Sequence, residues 1–469
     1  MNVLASTTVD LARLQFATTS IYHFLFVPLT LGLGPLVAIM QTLWLRSKDE
    51  RWLRLTRFFG TLFLINFAIG VATGLVQEFE FGMNWSVYSR FVGNVFGAPL
   101  AIEGLAAFML ESTFLGLWIF GWNRLSPRVH LATIWIAVLG TWLSAYFILV
   151  ANSWMQHPVG YKIVNGEAQL TSVWALLSNG FALRAYLHII LAGLIFGSSV
   201  MLGVCCWHFL RGHQAAVFRK AAKLALIVAV PVTALQLVVG NRFGEAVTSA
   251  QSMKIAASEA QWNTCDPCGF SLFQIGGFSK SDETPSFSIT IPRLLSYMAT
   301  GSFSGQVQGL NQLQQQEQRK YGRGNYMPNV RVIYWSMRVM AFAGVLMFLV
   351  AAVGAWLFRK QKLERARWFL WTAVVAIALP YIAATAGWVL TEMGRQPWIV
   401  QGLLKTSEAN SPSVSTTWLG ISLGVFVTLY IALLAVDLWL MGRYAKLDPS
   451  REPEEGGEVA PGATPVVSY

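Results

Sequence analysis

The chain has 469 residues, of which 55% are hydrophobic and 12% charged, with a mean hydropathy of +0.50. A soluble domain carries about 25% charge, so these proportions exclude an ordinary soluble enzyme and require a membrane-embedded chain. The formal net charge of +11 is not a nucleic-acid footprint, because the basic residues gather in short loops between apolar runs. Four cysteines are too few for a disulfide scaffold.

The amino terminus has neither a basic leader nor a small-residue cleavage site, so no secretory signal peptide is expected. A membrane span needs about 20 mostly apolar residues. Nine stretches qualify: 15–45, 52–80, 97–122, 129–152, 183–211, 218–241, 331–358, 366–391 and 416–441. A lipid-exposed backbone must satisfy its own hydrogen bonds, so the expected fold is all-α, a polytopic bundle of nine transmembrane helices. No sequence repeat is found.

Lys and Arg in short loops set the orientation. They crowd after spans one, three, five, seven and nine, as in Arg46 to Arg57, Arg211 to Lys223 and Arg359 to Arg367, and thin out in the alternate loops. The expected amino terminus is therefore outside and the carboxyl terminus cytoplasmic. The organisation that follows is six helices in 1–241, an external loop over 242–330, three helices in 331–447 and a tail over 448–469. The tail is rich in Pro, Gly and Glu and reads as disordered.

Ionisable groups inside spans are costly and are functional candidates. His23 and His188 lie within spans one and five, near the outer end of each, whereas His130, His157, His208 and His213 lie in loops or near span ends, where water is expected to reach them. A histidine bonded to a neighbouring helix is the plain alternative for His23 and His188; matching depth on separate spans favours a shared ligand role, and haem iron is commonly held by histidine or by a histidine/methionine pair. Met340 lies at similar depth in span seven. It can be a flexible core filler, but Arg338, two residues before it, needs a partner at that depth, and a haem propionate would serve.

Span three carries Glu103 and Glu111. Eight residues of helix turn about 800°, leaving the carboxylates about 80° apart in rotation and about 12 Å apart along the axis. Such a stack fits a proton relay, or else a structural pair bonded to Ser, Asn or Arg. Trp388 and Glu392 lie at i, i+4 at the outer end of span eight, followed by Arg395; Glu392 could be an anionic iron ligand or one half of a rim salt bridge. In the long loop, Lys254 and Glu259 lie on the helix-compatible run Ser252 to Trp262, where a solvated surface helix is the bland reading. Cys265-x-x-Cys268 lacks the further ligands zinc needs, and on an oxidising outer side a disulfide is expected. Cys205 and Cys206 read as buried apolar residues.

Several runs resemble subunit I of the cytochrome bd quinol oxidases. They are Leu14-Gln15-Phe16 with Tyr22 to Thr30 (YHFLFVPLT), Gly97 to Gly104 (GAPLAIEG) with Glu111 to Phe114, Ile148 to Gln156 (ILVANSWMQ), and Gly394-Arg395-Gln396-Pro397-Trp398. The resemblance covers essentially all nine spans. It lacks the long insertion that some members carry in the second half of the loop, so the chain is similar to the short-loop branch; Cys265-x-x-Cys268 is not part of the general pattern.

The resemblance implies a catalytic subunit that takes electrons from menaquinol or ubiquinol and reduces oxygen to water in the bacterial cytoplasmic membrane, building a proton motive force by sidedness without a pump. His188 and Met340 match the axial ligands of a low-spin haem b. His23 and Glu392, with Trp388 beside the latter, match ligand positions of a high-spin haem b and a haem d, one each. Glu103 and Glu111 match carboxylates assigned to proton delivery. Lys254 and Glu259 match residues of quinol binding and oxidation. Arg338 and Arg395 match basic residues near the haems. A second membrane subunit, small single-span subunits and lipids are the implied partners, and nucleic acid is not. The rival classes are a haem-containing electron-transfer subunit and a proton-coupled transporter. The first would need no acidic ligand. The second fits poorly, since no inverted repeat or broken-helix pair is seen.

Overall fold

The computed structural model describes residues 2–448; beyond Asp448, the tail expected to be disordered lies outside the described residues. Among these, nine helices are long and apolar enough to cross a membrane: Thr7–Ser47, Glu50–Met83, Ser86–Phe120, Pro127–Gln156, Val173–Arg211, Ala215–Ala250, Val330–Arg359, Arg367–Met393 and Thr416–Tyr444. They correspond one to one with the expected spans and are numbered one to nine. Boundary residues follow helix chemistry. Asp49 accepts from the Arg51 amide at the start of span two, Pro127 opens span four, and Gly212, in the left-handed region, closes span five.

Span six runs further than expected, to Ala250, past the boundary placed at residue 241. Its added turns mix Arg242, Glu245, Thr248 and Ser249 with apolar residues, which ends the apolar run for a hydropathy reading, and an Arg242–Glu245 ion pair at i, i+3 braces them.

Spans one and five form the enclosed centre of the bundle. Their backbones touch: a Cβ placed on Gly32 would lie 1.7 Å from the Gly193 carbonyl oxygen, and one on Gly197 would lie 2.5 Å from the Gly32 carbonyl carbon. Small residues that let membrane helices approach closely replace the missing hydrophobic drive for association in lipid. His23 lies about 14 Å up span one from this contact and His188 about 8 Å up span five, so the same close backbone contact sets the relative position of both.

The basic loops gather at one end of the bundle, where Lys220 pairs with Asp49 (2.7 Å) and Arg219 with Glu364 (3.1 Å). The opposite end carries the long loop, which folds. It contains a short helix Ser252–Ser258, an antiparallel hairpin of strands Phe270–Gly276 and Pro285–Ile291, and helices Leu294–Thr300 and Leu310–Tyr321. Ala256, Ala257, Trp262, Leu310 and Leu313 of the loop form a small core with Val330 and Ile333 of span seven. Trp262 also donates to the Gly277 carbonyl at 2.8 Å.

Two expectations about histidine are corrected. His130 and His208 are buried, not water-exposed. His130 is bonded to Gln41 and to the Trp118 carbonyl oxygen, each at 2.8 Å. His208 donates to the Ala445 carbonyl oxygen at 2.9 Å and stacks on Phe218. Both are structural groups of the basic end; His130 is bonded at both ring nitrogens, whereas His208 is bonded at Nε2 only and its Nδ1 has no partner.

Candidate functional site

His23 sits 2.9 Å through Nδ1 from the Thr73 hydroxyl. That hydroxyl is also within bonding distance of the Gly70 and Ile69 carbonyl oxygens (2.9 Å and 3.1 Å). When it donates to either carbonyl it accepts from His23 Nδ1–H, and in that tautomer the Nε2 lone pair is left for a ligand role. A metal-binding imidazole is oriented in just this way, by a bond from its other nitrogen. Gly74 flanks the ring, where a Cβ would come within 3.1 Å of Cε1. Phe24, the next residue, stacks on Trp388 of span eight at 5.2 Å between ring centroids, so His23 and the span-eight residues belong to one neighbourhood.

His188 faces the Gln236 amide, at 3.2 Å and 3.3 Å from its two ring nitrogens. Gly240 lies against its ring and Phe243 packs on it. The Met340 sulfur has a matching bare patch: a Cβ on Gly387 would lie 2.9 Å from it. Both candidate axial ligands thus face a glycine.

Glu392 accepts from Asn152 Nδ2 at 3.0 Å and pairs with Arg395. Arg395 is 3% exposed, yet its Nε and Nη1 have no hydrogen-bond partner. Buried donors of a guanidinium seldom go unpaired, and a carboxylate-bearing group fits them. A histidine held through Nδ1, a histidine and a methionine each beside a bare glycine, a glutamate and a guanidinium with two unpaired nitrogens form a donor set that suits haem.

The loop residues are not on a solvated surface helix. The helix stops at Ser258, and Lys254 and Glu259 are 3% and 6% exposed. Glu259 is held bidentately by Arg338, with Nη1–Oε1 at 3.1 Å and Nη2–Oε2 at 2.7 Å. Arg338 also donates to the Ser258 and Ser271 carbonyl oxygens and lies over the Tyr334 ring. Its N–H groups are all used within the protein. Glu259 is the counter-charge of Arg338 in this structure, a partner supplied by the loop itself. Burial pushes the Glu259 carboxyl up to about 7 against the pull of Arg338. Burial lowers the Lys254 ammonium to about 7, with the like charge of Arg395 adding to the effect.

Lys254 donates to Gln156 Oε1 (3.0 Å), Gln156 Nε2 donates to Asn152 Oδ1 (2.8 Å), and Asn152 reaches Glu392. A continuous hydrogen-bonded line therefore runs from the folded loop to the span-eight acid. Further in, span four makes two separate acid contacts: Ser144 donates to Glu103, and Thr141 to Glu111 at 2.9 Å. Thr141, Ser144, Asn152 and Gln156 fall at i, i+3, i+11 and i+15, one stripe of a helix. Sequence reading missed this stripe, although its spacing was available. It also missed that Glu103–Phe108 is a π-helical turn. Such bulges mark functional sites, and this one widens the helix where the two carboxylates turn toward span four.

Cys265 and Cys268 are disulfide-bonded, as expected, while Cys205 and Cys206 are buried and free. Among the described residues no group of three or more His, Cys, Asp and Glu side chains could hold a bare metal ion.

A nine-span helical bundle with histidine, methionine and glutamate ligand candidates around one end defines a membrane haem protein. The chain belongs to the family described as cytochrome bd terminal oxidase subunit I, whose model matches residues 11–449. It is 44% identical to cytochrome bd ubiquinol oxidase subunit 1 of Bacillus subtilis (strain 168), over 93% of each chain. It is 36% identical to cytochrome bd-II ubiquinol oxidase subunit 1 of Escherichia coli (strain K12), over 94% of this chain and 97% of that one. The solved bd oxidase from Geobacillus thermodenitrificans superposes with a TM-score of 0.85 at 27% identity, covering 94% of this chain. The chain is thus a subunit of a multi-subunit terminal respiratory oxidase, a haem protein spanning the bacterial cytoplasmic membrane.

Proposed function

We propose that this subunit oxidises quinol at the folded loop, over Lys254 and Glu259, and passes the electrons inward to the site of oxygen reduction. The observation that most supports this reading is the line Lys254–Gln156–Asn152–Glu392, which joins the loop to the span-eight acid. In this reading His188 and Met340 hold a low-spin haem b, and His23 and Glu392 hold a high-spin haem b and a haem d, one each. The haems, when bound, carry the electrons and reduce the oxygen.

The chain's own residues handle the protons. Glu259 accepts a proton from the quinol hydroxyl, and Arg338 steadies the carboxylate form. Lys254 orients the quinol through its ammonium hydrogens. Glu111 and Glu103, each held by a span-four hydroxyl, carry protons for water formation from the basic end, which faces the cytoplasm. Trp388 packs the haem pocket, and Arg395 steadies Glu392 and offers its free N–H groups to a haem carboxylate. A second membrane subunit completes the oxidase.

A reduced-minus-oxidised spectrum of the purified complex tests this directly. It should contain a long-wavelength chlorin band beside b-type bands, part of it shifting with carbon monoxide. A b-type signal blind to carbon monoxide would reduce the chain to electron transfer. Lys254→Ala should lose most quinol-driven oxygen consumption while artificial reductants still support it. Equal loss with both donors would remove the loop from quinol oxidation.

A pH dependence follows from Glu259. Its carboxyl is raised to about 7, so below that pH it already holds a proton and cannot accept one. Quinol-driven turnover should rise through about pH 7, and Glu259→Gln should flatten that limb. An unchanged profile in the variant would assign the limb to another group.

A further inference from the structure

The loop hairpin is oriented against the usual rule. Partner residues of an antiparallel pair share a face, and here Phe273 opposes Ile289 and Ile275 opposes Phe287. With Ile291 they form one apolar face, and Ile275, Phe287 and Ile289 are 54%, 51% and 50% exposed. The first strand buries polar side chains instead: Ser271 and Gln274 are buried, and Ser271 meets the Tyr334 hydroxyl at 2.8 Å, while the second strand is exposed from Ser286 to Ile291. A two-stranded hairpin is marginal in water at best, and a contiguous exposed apolar patch marks a surface that something covers.

What covers it is indicated by its neighbour. Phe273 packs edge-on against Trp335, ring centroids 5.5 Å apart. Trp335 heads a stripe on span seven that continues through Val339, Phe342, Leu346 and Leu349, at i, i+4, i+7, i+11 and i+14, the last four all exposed. That stripe is exposed along a membrane span and so is open to lipid in this subunit, and aromatic residues such as Trp335 favour the membrane–water interface. The hairpin face continues the stripe beyond the helix end.

We propose that the apolar face of the hairpin lies in the head-group layer of the bilayer, as an interfacial anchor for the loop. The anchor bears on the buried ion pair, because the Ser271 carbonyl on its inner side accepts from Arg338, which holds Glu259.

The test uses the whole oxidase in lipid nanodiscs, with a nitroxide on Ile289→Cys and, separately, on Phe287→Cys. Labelling within this chain is selective, since its native cysteines are buried or disulfide-bonded, and the unsubstituted oxidase gives the background from other subunits. Lys280→Cys at the hairpin turn and Leu346→Cys in span seven give the water and lipid references. At both hairpin positions the ratio of oxygen to nickel-chelate collision should approach that of Leu346→Cys and exceed that of Lys280→Cys several-fold. A ratio like that of Lys280→Cys would place the face in water and overturn the proposal. Low collision with both probes would mean that another subunit covers it, and would overturn the proposal equally. The readout does not depend on quinol turnover. Haem content equal to the parent complex confirms that each variant is folded; if one hairpin variant fails that check, the other decides.

Discussion

Arg338→Ala is expected to unseat the loop. The substitution leaves Glu259, 6% exposed, without its counter-charge and two loop carbonyls without their donor. Removing one partner of a buried ion pair costs about 3–5 kcal/mol, because the remaining charge is stranded. That exceeds what the small loop core can absorb, so quinol-driven oxygen consumption should fall to background and the loop should become protease-sensitive. The nine spans and their haem spectrum should survive, since Arg338 uses all its N–H groups on the loop. The double variant Arg338→Leu/Glu259→Leu separates structure from chemistry. Replacing both charges with apolar groups removes the stranded carboxylate, so protease resistance should return while quinol turnover stays lost. If the double variant were as protease-sensitive as Arg338→Ala, the charge argument would be wrong; if it oxidised quinol, Glu259 would not be the proton acceptor.

Gly32→Ala is expected to do the opposite, harming the bundle first. The added methyl carbon would fall 1.7 Å from the Gly193 carbonyl oxygen. No side-chain rotation relieves it, because the clash is at Cβ. Spans one and five must part, at a cost of about 4 kcal/mol or more, in the range reserved for severe core faults. His23 and His188 ride on these two spans, so their haem signals should fall together rather than singly. Gly344→Ala is the control, since nothing lies within 4 Å of a Cβ there, and it should keep the parent spectrum. Native haem content and thermal stability in Gly32→Ala would refute the close contact.

Much of the fold was legible because lipid leaves the backbone few choices. All nine spans followed from hydropathy, and Lys/Arg asymmetry anticipated the basic end where Lys220 meets Asp49. The site was legible in its residue types and less so in its partners. Arg338 was recognised as needing a counter-charge, but the sequence could not show that Glu259, 79 residues away, would supply it; a long-range pairing leaves no periodic trace. For the same reason Lys254 and Glu259 looked like surface positions. His130 and His208 looked accessible because span ends usually are, and here neighbouring helix ends cover them. The π-turn at Glu103 depends on local hydrogen-bond registry, which an apolar helix does not advertise. The stripe on span four is different: Thr141, Ser144, Asn152 and Gln156 carried helical spacing in plain view.

That stripe makes span four a ruler. It measures the separation between the Glu111 and Glu103 contacts at one end and the Asn152 and Gln156 contacts at the other. One residue inserted between Ser144 and Asn152 would turn the two halves by about 100° relative to each other, and the hydroxyls and amides could no longer meet Glu103 and Glu111 at one end together with Glu392 and Lys254 at the other. Changes of length are therefore forbidden in this interval even though changes of lipid-facing side chain are not. Across oxidases built on this plan the spacing should be more constant than the sequence around it.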